Sequence, residues 1–555
     1  MIRLSLLLSV IAGLLFAPVL SRQSTIDQAE LVDEGFKVFT QETFAGNGRT
    51  CATCHIPGEG YDIFPDSIKK LTEKERAILF ASSVPGFENI ALIQSHALFN
   101  ISGGQAPLCP GSHPECFSEE DGLAGPIFRG SMAIQALDLT SKVDEQVVAD
   151  GDFLGTPLLP AACSTGVELS LPQLGWSGDG SPGTPTSNFV DLNADGFNDC
   201  GTHHGRFDVA ADGSIHAFAA GAVAQHFTRS LDRIPGVDFR RATFVELDAL
   251  EAFQRWLGRR PLTTEENAAQ ETSNASEFDL LRLNFKDPRV ARGRDHFTGN
   301  NGARCNRCHT NGGALGGGGG GNNNAITNVA LAGDDIGASV VGFALPGDEG
   351  TIVNAFAGGD TGTLFGAFNT QSIIEAPKKK AWFHNHKVVG DFEEAIAHYG
   401  SHDFLSGGPN GRPIGTVKPP GGLLGLQFGG QGAGAVAFPA GDGIEHLGTF
   451  LRTLSAFYGL RDCERLLDEA TERIASGVSA DNPVNHCQFN LSHVTRVLAE
   501  SKLPGLHTDV QLGATQALSA LNGSRFNRNA EQIARIKTSI RAMRDSIAMQ
   551  ILPAF

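Results

Sequence analysis

The chain has 555 residues, 10 cysteines and a formal net charge of −18. This acidic balance argues against nucleic acid as a partner, and 41% apolar residues with 68 glycines fit a loop-rich globular protein rather than a disordered or fibrous one. At roughly 100–200 residues per domain, the length predicts two to four domains.

Residues 1–21 are predicted to form a signal peptide. Arg3 supplies a positive charge, an apolar run extends from Leu4 to Phe16, and Val19-Leu20-Ser21 offers a cleavage position. We therefore expect a periplasmic or otherwise exported protein, without stable membrane insertion after cleavage. An uncleaved anchor is the alternative, because the apolar run approaches the length of a bilayer span.

Two segments carry the pattern Cys-x-x-Cys-His, namely Cys51-Ala52-Thr53-Cys54-His55 and Cys305-Asn306-Arg307-Cys308-His309. Thiols at this spacing can each form a thioether to one porphyrin, and the following histidine can then bind the iron. A zinc knuckle would need a second cysteine pair beside each motif, and a thioredoxin-like dithiol would need a single motif within a βαβ unit. The sequence therefore predicts two covalently bound haem c groups.

The two motifs have related surroundings. A Gly-x-x-x-Phe segment precedes each one, at Gly35–Phe39 and at Gly293–Phe297, and a short polar loop then leads to the cysteines. This repetition predicts two cytochrome-c-like haem lobes. We place the lobes at residues 22–260 and 277–458, with a polar linker at 261–276 and a helical tail at 459–555. Strand signals are few, so we expect a mostly α fold with long loops and a C-terminal helical extension.

The other six cysteines are even in number, as disulfide bonds require. Six cysteines allow 15 pairings, and the sequence does not choose among them. Pairing of nearest neighbours is our hypothesis, which gives Cys109–Cys116, Cys163–Cys200 and Cys463–Cys487.

One loop has the alternating oxygen side chains of a calcium-binding loop, with glycine at the sixth position. Its candidate ligands are Asp191, Asn193, Asp195 and Asp199. Thr202 occupies the twelfth position, where an EF-hand has glutamate. A structural Ca²⁺ site and a plain polar turn are both open interpretations.

These motifs together resemble those of the bacterial di-haem cytochrome c peroxidase/MauG family. The family's Phe-His-Asp-Gly motif is matched by Phe383-His384-Asn385-His386, which departs from it at the last two residues. Its Trp-Asp-Gly-Arg segment is matched imperfectly at Trp176–Gly180, and its next helix at Asp391–Tyr399. The resemblance covers residues 33–458, with insertions in the first lobe, and leaves the tail outside.

The resemblance implies different roles for the two haems. The first, with His55 as its proximal ligand, would react with peroxide, and the second, bound by His309, would store or relay electrons. Trp176 would couple the two haems, and a buried structural tryptophan is the alternative.

The second iron of such peroxidases usually carries methionine. Among the four methionines only Met132 falls within a lobe, and that is the first one. The corresponding position here is Tyr399, a hard anionic ligand that favours ferric iron. Tyr399 shares a helix face with Phe392, Ala395 and Ile396. His398 and His384 are alternative ligands.

The first haem's distal side needs a group that moves a proton between the peroxide oxygens. A predicted helix over 217–231 offers Gln225 and His226, and the histidine would act either as this acid/base group or as a sixth ligand. A purely structural histidine is the competing interpretation. Arg129 and Glu246 are weaker candidates.

The expected function is that of a di-haem oxidoreductase of the peroxidase type, which reduces H₂O₂ at the first haem. Its electrons would come from a donor such as a small cytochrome, or from MauG-like oxidation of a protein or organic substrate. The alternatives are an O₂-dependent di-haem oxygenase and a non-catalytic electron-transfer protein.

Overall fold

The computed structural model describes the following residues: 29–100, 128–131, 133–135, 215–258, 283–298, 303, 305, 309, 326–328, 351–354, 363–369, 373–383, 386, 388–398, 443–501, 506–523 and 529–550. Most of them are helical, which confirms the mostly α prediction. Among these residues, no helix is both long and apolar enough to cross a membrane.

The first part of the chain consists of short helices, one hairpin-like strand pair and two longer helices. They are α1 (29–41), α2 (Cys51–Cys54), α3 (Pro65–Lys70), α4 (Glu73–Leu79), α5 (Ile90–His96), β1 (Leu98–Asn100), β2 (Phe128–Gly130), α6 (Ile215–His226) and α7 (Phe244–Gly258). Strands β1 and β2 are antiparallel, with Leu98 opposite Gly130. The α4 helix begins with a capping box of Thr72 and Glu75, which satisfies its first amide groups.

The second part adds small sheets around a helical bundle. Its elements are β3 (Leu283–Phe285), α8 (Pro288–Thr298), β4 (Ile326–Asn328), β5 (Thr351–Asn354), β6 (Thr363–Asn369), β7 (Ala381–Trp382), β8 (Val388–Val389), α9 (Phe392–His398), α10 (Gly443–Ser476), α11 (Asp481–Ala499), α12 (Leu506–Asn522), α13 (Ala530–Ile547) and β9 (Ala548–Gln550). Antiparallel pairing joins β4 and β5 to β6, β7 to β8, and β3 to β9.

The α1 helix crosses α7 at a glycine. A Cβ atom added to Gly35 would lie 1.9 Å from the carbonyl oxygen of Ala249, so only glycine permits this approach. Four residues further along each helix, the rings of Phe39 and Phe253 pack with their centroids 5.3 Å apart. This crossing forms the core of the first lobe.

The same construction recurs before the second Cys-x-x-Cys-His motif. A Cβ atom added to Gly293 of α8 would lie 2.1 Å from the carbonyl oxygen of His446 in α10. Four residues further along each helix, the rings of Phe297 and Phe450 pack at 5.6 Å. Both crossings therefore combine a Gly-x-x-x-Phe helix with a partner that supplies a backbone carbonyl and, four residues later, a phenylalanine.

The predicted boundary between the second lobe and the tail is not a structural boundary. The α10 helix runs without interruption from Gly443 to Ser476, across the proposed division after Tyr458. It packs against α8 and also against α11 and α13, so helices assigned to the tail share one hydrophobic core with the second lobe. Our division ended where the sequence resemblance ended, although the helix has no break there.

Other predictions for the C-terminal residues are confirmed. A disulfide bond joins Cys463 of α10 to Cys487 of α11, as nearest-neighbour pairing predicts. The helical pattern over 529–551 is confirmed as far as Ile547, where α13 ends, whereas Ala548–Gln550 form strand β9. The Asn529 side chain caps the first turn of α13 by accepting a hydrogen bond from the Gln532 amide. The other two predicted disulfides, the linker and the signal peptide lie outside the described residues.

Candidate functional site

The first Cys-x-x-Cys-His motif forms a single helical turn. Thr50 precedes α2 in the capping position, and its side chain and that of Thr53 form a capping box. The amide of His55 donates to the carbonyl of Cys51, which closes the turn. Residues three apart lie on one face of a helix, so Cys51 and Cys54 are on the same side.

Backbone and hydroxyl groups orient the His55 ring. Its Nδ1 atom lies 3.0 Å from the carbonyl oxygen of Tyr61 and 3.3 Å from Ser131 Oγ. A carbonyl oxygen only accepts hydrogen bonds, so the ring proton is on Nδ1 and the lone pair is on Nε2. Iron-binding histidines are held in this way by a hydrogen bond from the nitrogen that does not bind the metal.

The loop that supplies this carbonyl is itself fixed. Tyr61 is 1% exposed and has a φ of +60°, and an isolated β-bridge pairs its neighbour Asp62 with Ile56. Asp62 also lies 3.0 Å from Lys379, which comes from the second part of the chain. Burial raises the pKa of Asp62, and the ion pair with Lys379 opposes that shift.

His226 lies on α6 close to this motif. The Asn47 side chain donates to the His226 carbonyl at 2.9 Å, which holds the end of α6 against the loop before the cysteines. Burial lowers the pKa of His226 to about 3, and the nearby charges of Arg49, Arg233 and His55 lower it further. The imidazole is therefore neutral at pH 7 and can bind a metal or accept a proton.

Cys51, Cys54, His55 and His226 are all only partly buried, and we refer to the region that they share as the candidate cleft. Burial raises the thiol pKa values of Cys51 and Cys54 to about 12, yet both side chains retain accessible surface, as do His55 and His226. The accessible surface of these four residues is what a covalently attached porphyrin would cover. High thiol pKa values also argue against a redox dithiol, whose nucleophile needs a lowered one.

Two guanidinium groups lie beside this cleft. Arg49 is buried and paired with the equally buried Glu88 at 2.8 Å, and it also donates to the carbonyl of Leu79. Arg233 lies with its guanidinium carbon 5.4 Å from the centre of the Phe87 ring. The positive charges of both groups disfavour protonation of His226.

The second motif is described at Cys305 and His309. The His309 amide donates to the Cys305 carbonyl at 2.8 Å, the same helical closure as at the first motif. On α9, Phe392, Ala395 and Ile396 are buried, as the predicted helix face requires. His398 is buried as well, with its ring 4.8 Å from that of Phe383.

The predicted distal helix is shorter than expected. It ends at His226, so Gln225 and His226 belong to it, whereas Arg229 lies beyond its end and donates to the carbonyls of Val237 and Asp238. Glu246 is not an acid/base candidate, because it caps the start of α7 and pairs with Arg240 at 2.7 Å. These contacts lower its pKa to about 2.

Several predicted site residues lie outside the described part of the chain. They are Trp176, Cys308, His384, Tyr399 and the calcium-loop residues Asp191, Asn193, Asp195 and Asp199. Within the described ranges, no three His, Cys, Asp or Glu side chains are grouped as a metal-ion site requires.

A connected set of aromatic residues behind His55 has no counterpart in our sequence predictions. The Tyr61 hydroxyl hydrogen-bonds to Nε2 of His486 on α11, and the His486 ring lies edge-on to Trp256 at 4.7 Å. Trp256 Nε1 donates to Glu469 at 2.7 Å. Tyr61 and His486 are 425 positions apart, so no local pattern indicates their contact.

Helix α11 covers the loop that orients His55. His493 Nε2 lies 3.2 Å from the carbonyl oxygen of Gly58, and Arg496 pairs with Glu59 at 2.8 Å. Gln135 donates to Asn490 at 2.7 Å in a buried contact. The predicted tail is thus part of the wall around the first motif.

Comparison of this chain with family models, with curated proteins and with solved structures found no match.

Proposed function

We propose that this chain is an exported di-haem c-type oxidoreductase of the peroxidase type, akin to the di-haem cytochrome c peroxidase/MauG family. It would reduce H₂O₂ at the first haem, while the second haem relays or stores electrons. The observation that carries the proposal is geometric: the first Cys-x-x-Cys-His motif forms a helical turn, the Tyr61 carbonyl orients the His55 ring, and Asn47 holds the end of α6 with His226 against the loop before the cysteines.

The residues of the candidate cleft have separate tasks. Cys51 and Cys54 would hold the haem through thioethers, and the His55 ring, oriented by the Tyr61 carbonyl, would present Nε2 to the iron. When bound, haem c supplies an iron that exchanges single electrons. His226 would take a proton from one peroxide oxygen and return it to the other, because its neutral ring can accept one.

The repeated helix crossing supports a second haem. Gly35 and Gly293 begin equivalent crossings, and a Cys-x-x-Cys-His motif follows each at a similar distance along the chain. This arrangement favours two cytochrome-c-like lobes, with His309 as the proximal ligand of the second iron. Tyr399 is our proposed opposite ligand, and His398 is the described alternative.

A non-catalytic electron carrier is the second candidate, and His226 is the reason. A neutral imidazole near the haem cleft would close the iron's sixth position if it bound the metal. Peroxide could then not enter, and both haems would only transfer electrons.

The test combines haem counting with electron paramagnetic resonance (EPR). Intact mass and the pyridine haemochrome spectrum should give two haems per chain, and low-temperature EPR of the ferric protein should show a high-spin signal that H₂O₂ removes. Two low-spin signals that peroxide leaves unchanged, including after partial reduction, would contradict the enzyme and favour the carrier.

A substitution at His226 separates the two roles. If His226 transfers protons, His226→Gln should retain the high-spin signal and slow the reaction with peroxide by about 10²–10⁴-fold. If His226 binds the iron, the same variant should convert a low-spin signal to a high-spin one. His96→Gln alters a half-buried histidine on α5 that has no place in this proposal and serves as the control.

A further inference from the structure

The hydrogen bond between Tyr61 and His486 has a defined direction. His486 Nδ1 lies 2.8 Å from the carbonyl oxygen of Asn482, so Nδ1 carries the ring proton. Its Nε2 lone pair therefore accepts the hydrogen bond from the Tyr61 hydroxyl. Burial lowers the pKa of His486 to about 4, which keeps the imidazole neutral and able to accept a proton at pH 7.

The surroundings of this pair exclude water, and one buried carboxylate offsets part of the cost of a protonated His486. Aromatic rings flank His486, with centroid distances of 5.7 Å to Phe36 and 5.6 Å to Phe489. Burial disfavours the charged form of His486, as do the positive charges of Arg465 and Arg473, whereas the carboxylate of Asp462 favours it. A proton that moved from Tyr61 to His486 would thus remain next to the oxygen that released it.

The same tyrosine is coupled to the proposed haem ligand. Its carbonyl oxygen accepts from His55 Nδ1 at 3.0 Å. Phe39 stands between the two rings, with centroids 5.8 Å from Tyr61 and 6.1 Å from His55. Electrons therefore have a short packed route from the Tyr61 ring to the first motif.

We propose that Tyr61 and His486 form a redox-active pair that holds one oxidising equivalent as a neutral tyrosyl radical. One electron leaves the Tyr61 ring toward the His55 site, the phenolic O–H bond breaks, and the proton moves to His486 Nε2. Peroxide is the two-electron oxidant and is reduced to water. Tyr61 supplies one of the two electrons, the haems would supply the other, and a later one-electron donor restores the phenol as the proton returns from His486. This inference rests on the proposed peroxidase function and adds a redox residue that the sequence predictions did not contain.

Tyr61 suits this role better than its neighbour Trp256. The guanidinium of Arg465 lies 5.6 Å over the Trp256 ring and disfavours positive charge there. Trp256 also has an acceptor for its indole proton, but the carboxylate of Glu469 is paired with Arg465 and Arg473 and is therefore a weak base. The tyrosyl product is neutral because its proton moves to the neutral His486 ring, so no unpaired charge is left on the buried phenol ring. Trp256 instead packs against His486 and limits its movement.

The test is freeze-quench EPR of the full-length protein carrying both haems, mixed with H₂O₂. The chain has only three tyrosines, so ring-deuterated tyrosine identifies the signal clearly. We expect an organic radical near the free-electron g value that narrows on deuteration and is lost in Tyr61→Phe. This variant keeps the backbone carbonyl that orients His55. Tyr458→Phe, at another buried tyrosine, should leave the radical unchanged.

His486→Gln tests the proton acceptor. Glutamine can still accept the hydrogen bond but is not a base, so the radical yield should fall at least about tenfold while both haems remain attached. Haem content by mass shows that each variant has folded. Suppose that peroxide removes the high-spin signal, so that the peroxidase proposal stands. The Tyr61–His486 pair is then wrong if the radical persists in Tyr61→Phe, if tyrosine deuteration leaves its signal unchanged, or if no radical forms. If peroxide leaves the haems unchanged, both proposals fail.

Discussion

Replacement of Gly35 by alanine should destabilise the first lobe by about 2 kcal/mol. The new Cβ atom would lie 1.9 Å from the Ala249 carbonyl oxygen, whereas such contacts do not occur below 3.0 Å, so α1 and α7 must separate by roughly 1 Å. The obstructing atom belongs to a helix backbone and cannot rotate away. Overpacking of this kind costs up to about 3 kcal/mol, and alanine returns about 1 kcal/mol through its higher helix propensity.

Urea unfolding of the fully haem-loaded protein at pH 7, followed by far-ultraviolet circular dichroism, measures this loss. Gly58→Ala is the matched control, because a Cβ atom at Gly58 meets nothing within 4 Å. That variant should stay within about 0.5 kcal/mol of the parent. If Gly35→Ala is as stable as Gly58→Ala, the helices do not cross as closely as described, and the argument for a repeated crossing fails.

Three further predictions concern buried groups. Arg49→Met should cost about 3–5 kcal/mol in urea unfolding, because it removes the ion-pair partner of the fully buried Glu88 and leaves only the charge of Arg233 near it. Arg49→Met/Glu88→Leu should recover part of that loss, since the Asn100 amide then lacks its Glu88 acceptor. Loss of the disulfide in Cys463→Ala/Cys487→Ala should cost about 3 kcal/mol, and unfolding of the parent with reductant should show a similar loss. The free energy of unfolding should fall as the pH drops from 6.5 toward 4, by about 3 kcal/mol for His486, because the unfolded chain binds a proton that the buried ring does not. His486→Gln should reduce the loss by about this amount, and the loss that remains comes from other buried histidines such as His226.

Local patterns in the sequence were sufficient for some of these features. The two Gly-x-x-x-Phe segments predicted related settings for the haem motifs, and the structure gives each the same kind of helix crossing. Spacing alone also predicted that Phe392, Ala395 and Ile396 share a buried helix face. These predictions depend on helix periodicity and on steric limits at glycine, which act within a few residues of the chain.

Contacts between distant parts of the chain could not be predicted from such local patterns. Nothing in the residues around Tyr61 indicates that its hydroxyl forms a hydrogen bond with His486, because that contact exists only after α11 packs on the first lobe. The lobe boundary after Tyr458 was wrong for a related reason. Residues of α10 are buried on almost every side from Gly443 to Glu464, so the helix shows no polar face that would mark an end.

The length of α10 determines how the two lobes are joined. Near its start, the His446 carbonyl meets Gly293 in the second-lobe crossing. Further on, Glu469 accepts a hydrogen bond from Trp256, and Arg473 pairs with Asp33 of α1 at 2.8 Å. A helix of 34 residues is about 50 Å long and is stiff, so these contacts fix the first-lobe helices relative to the second-lobe crossing. Because α11 returns from the end of this helix to cover the Tyr61 loop, the segment first taken for an accessory tail completes the candidate site.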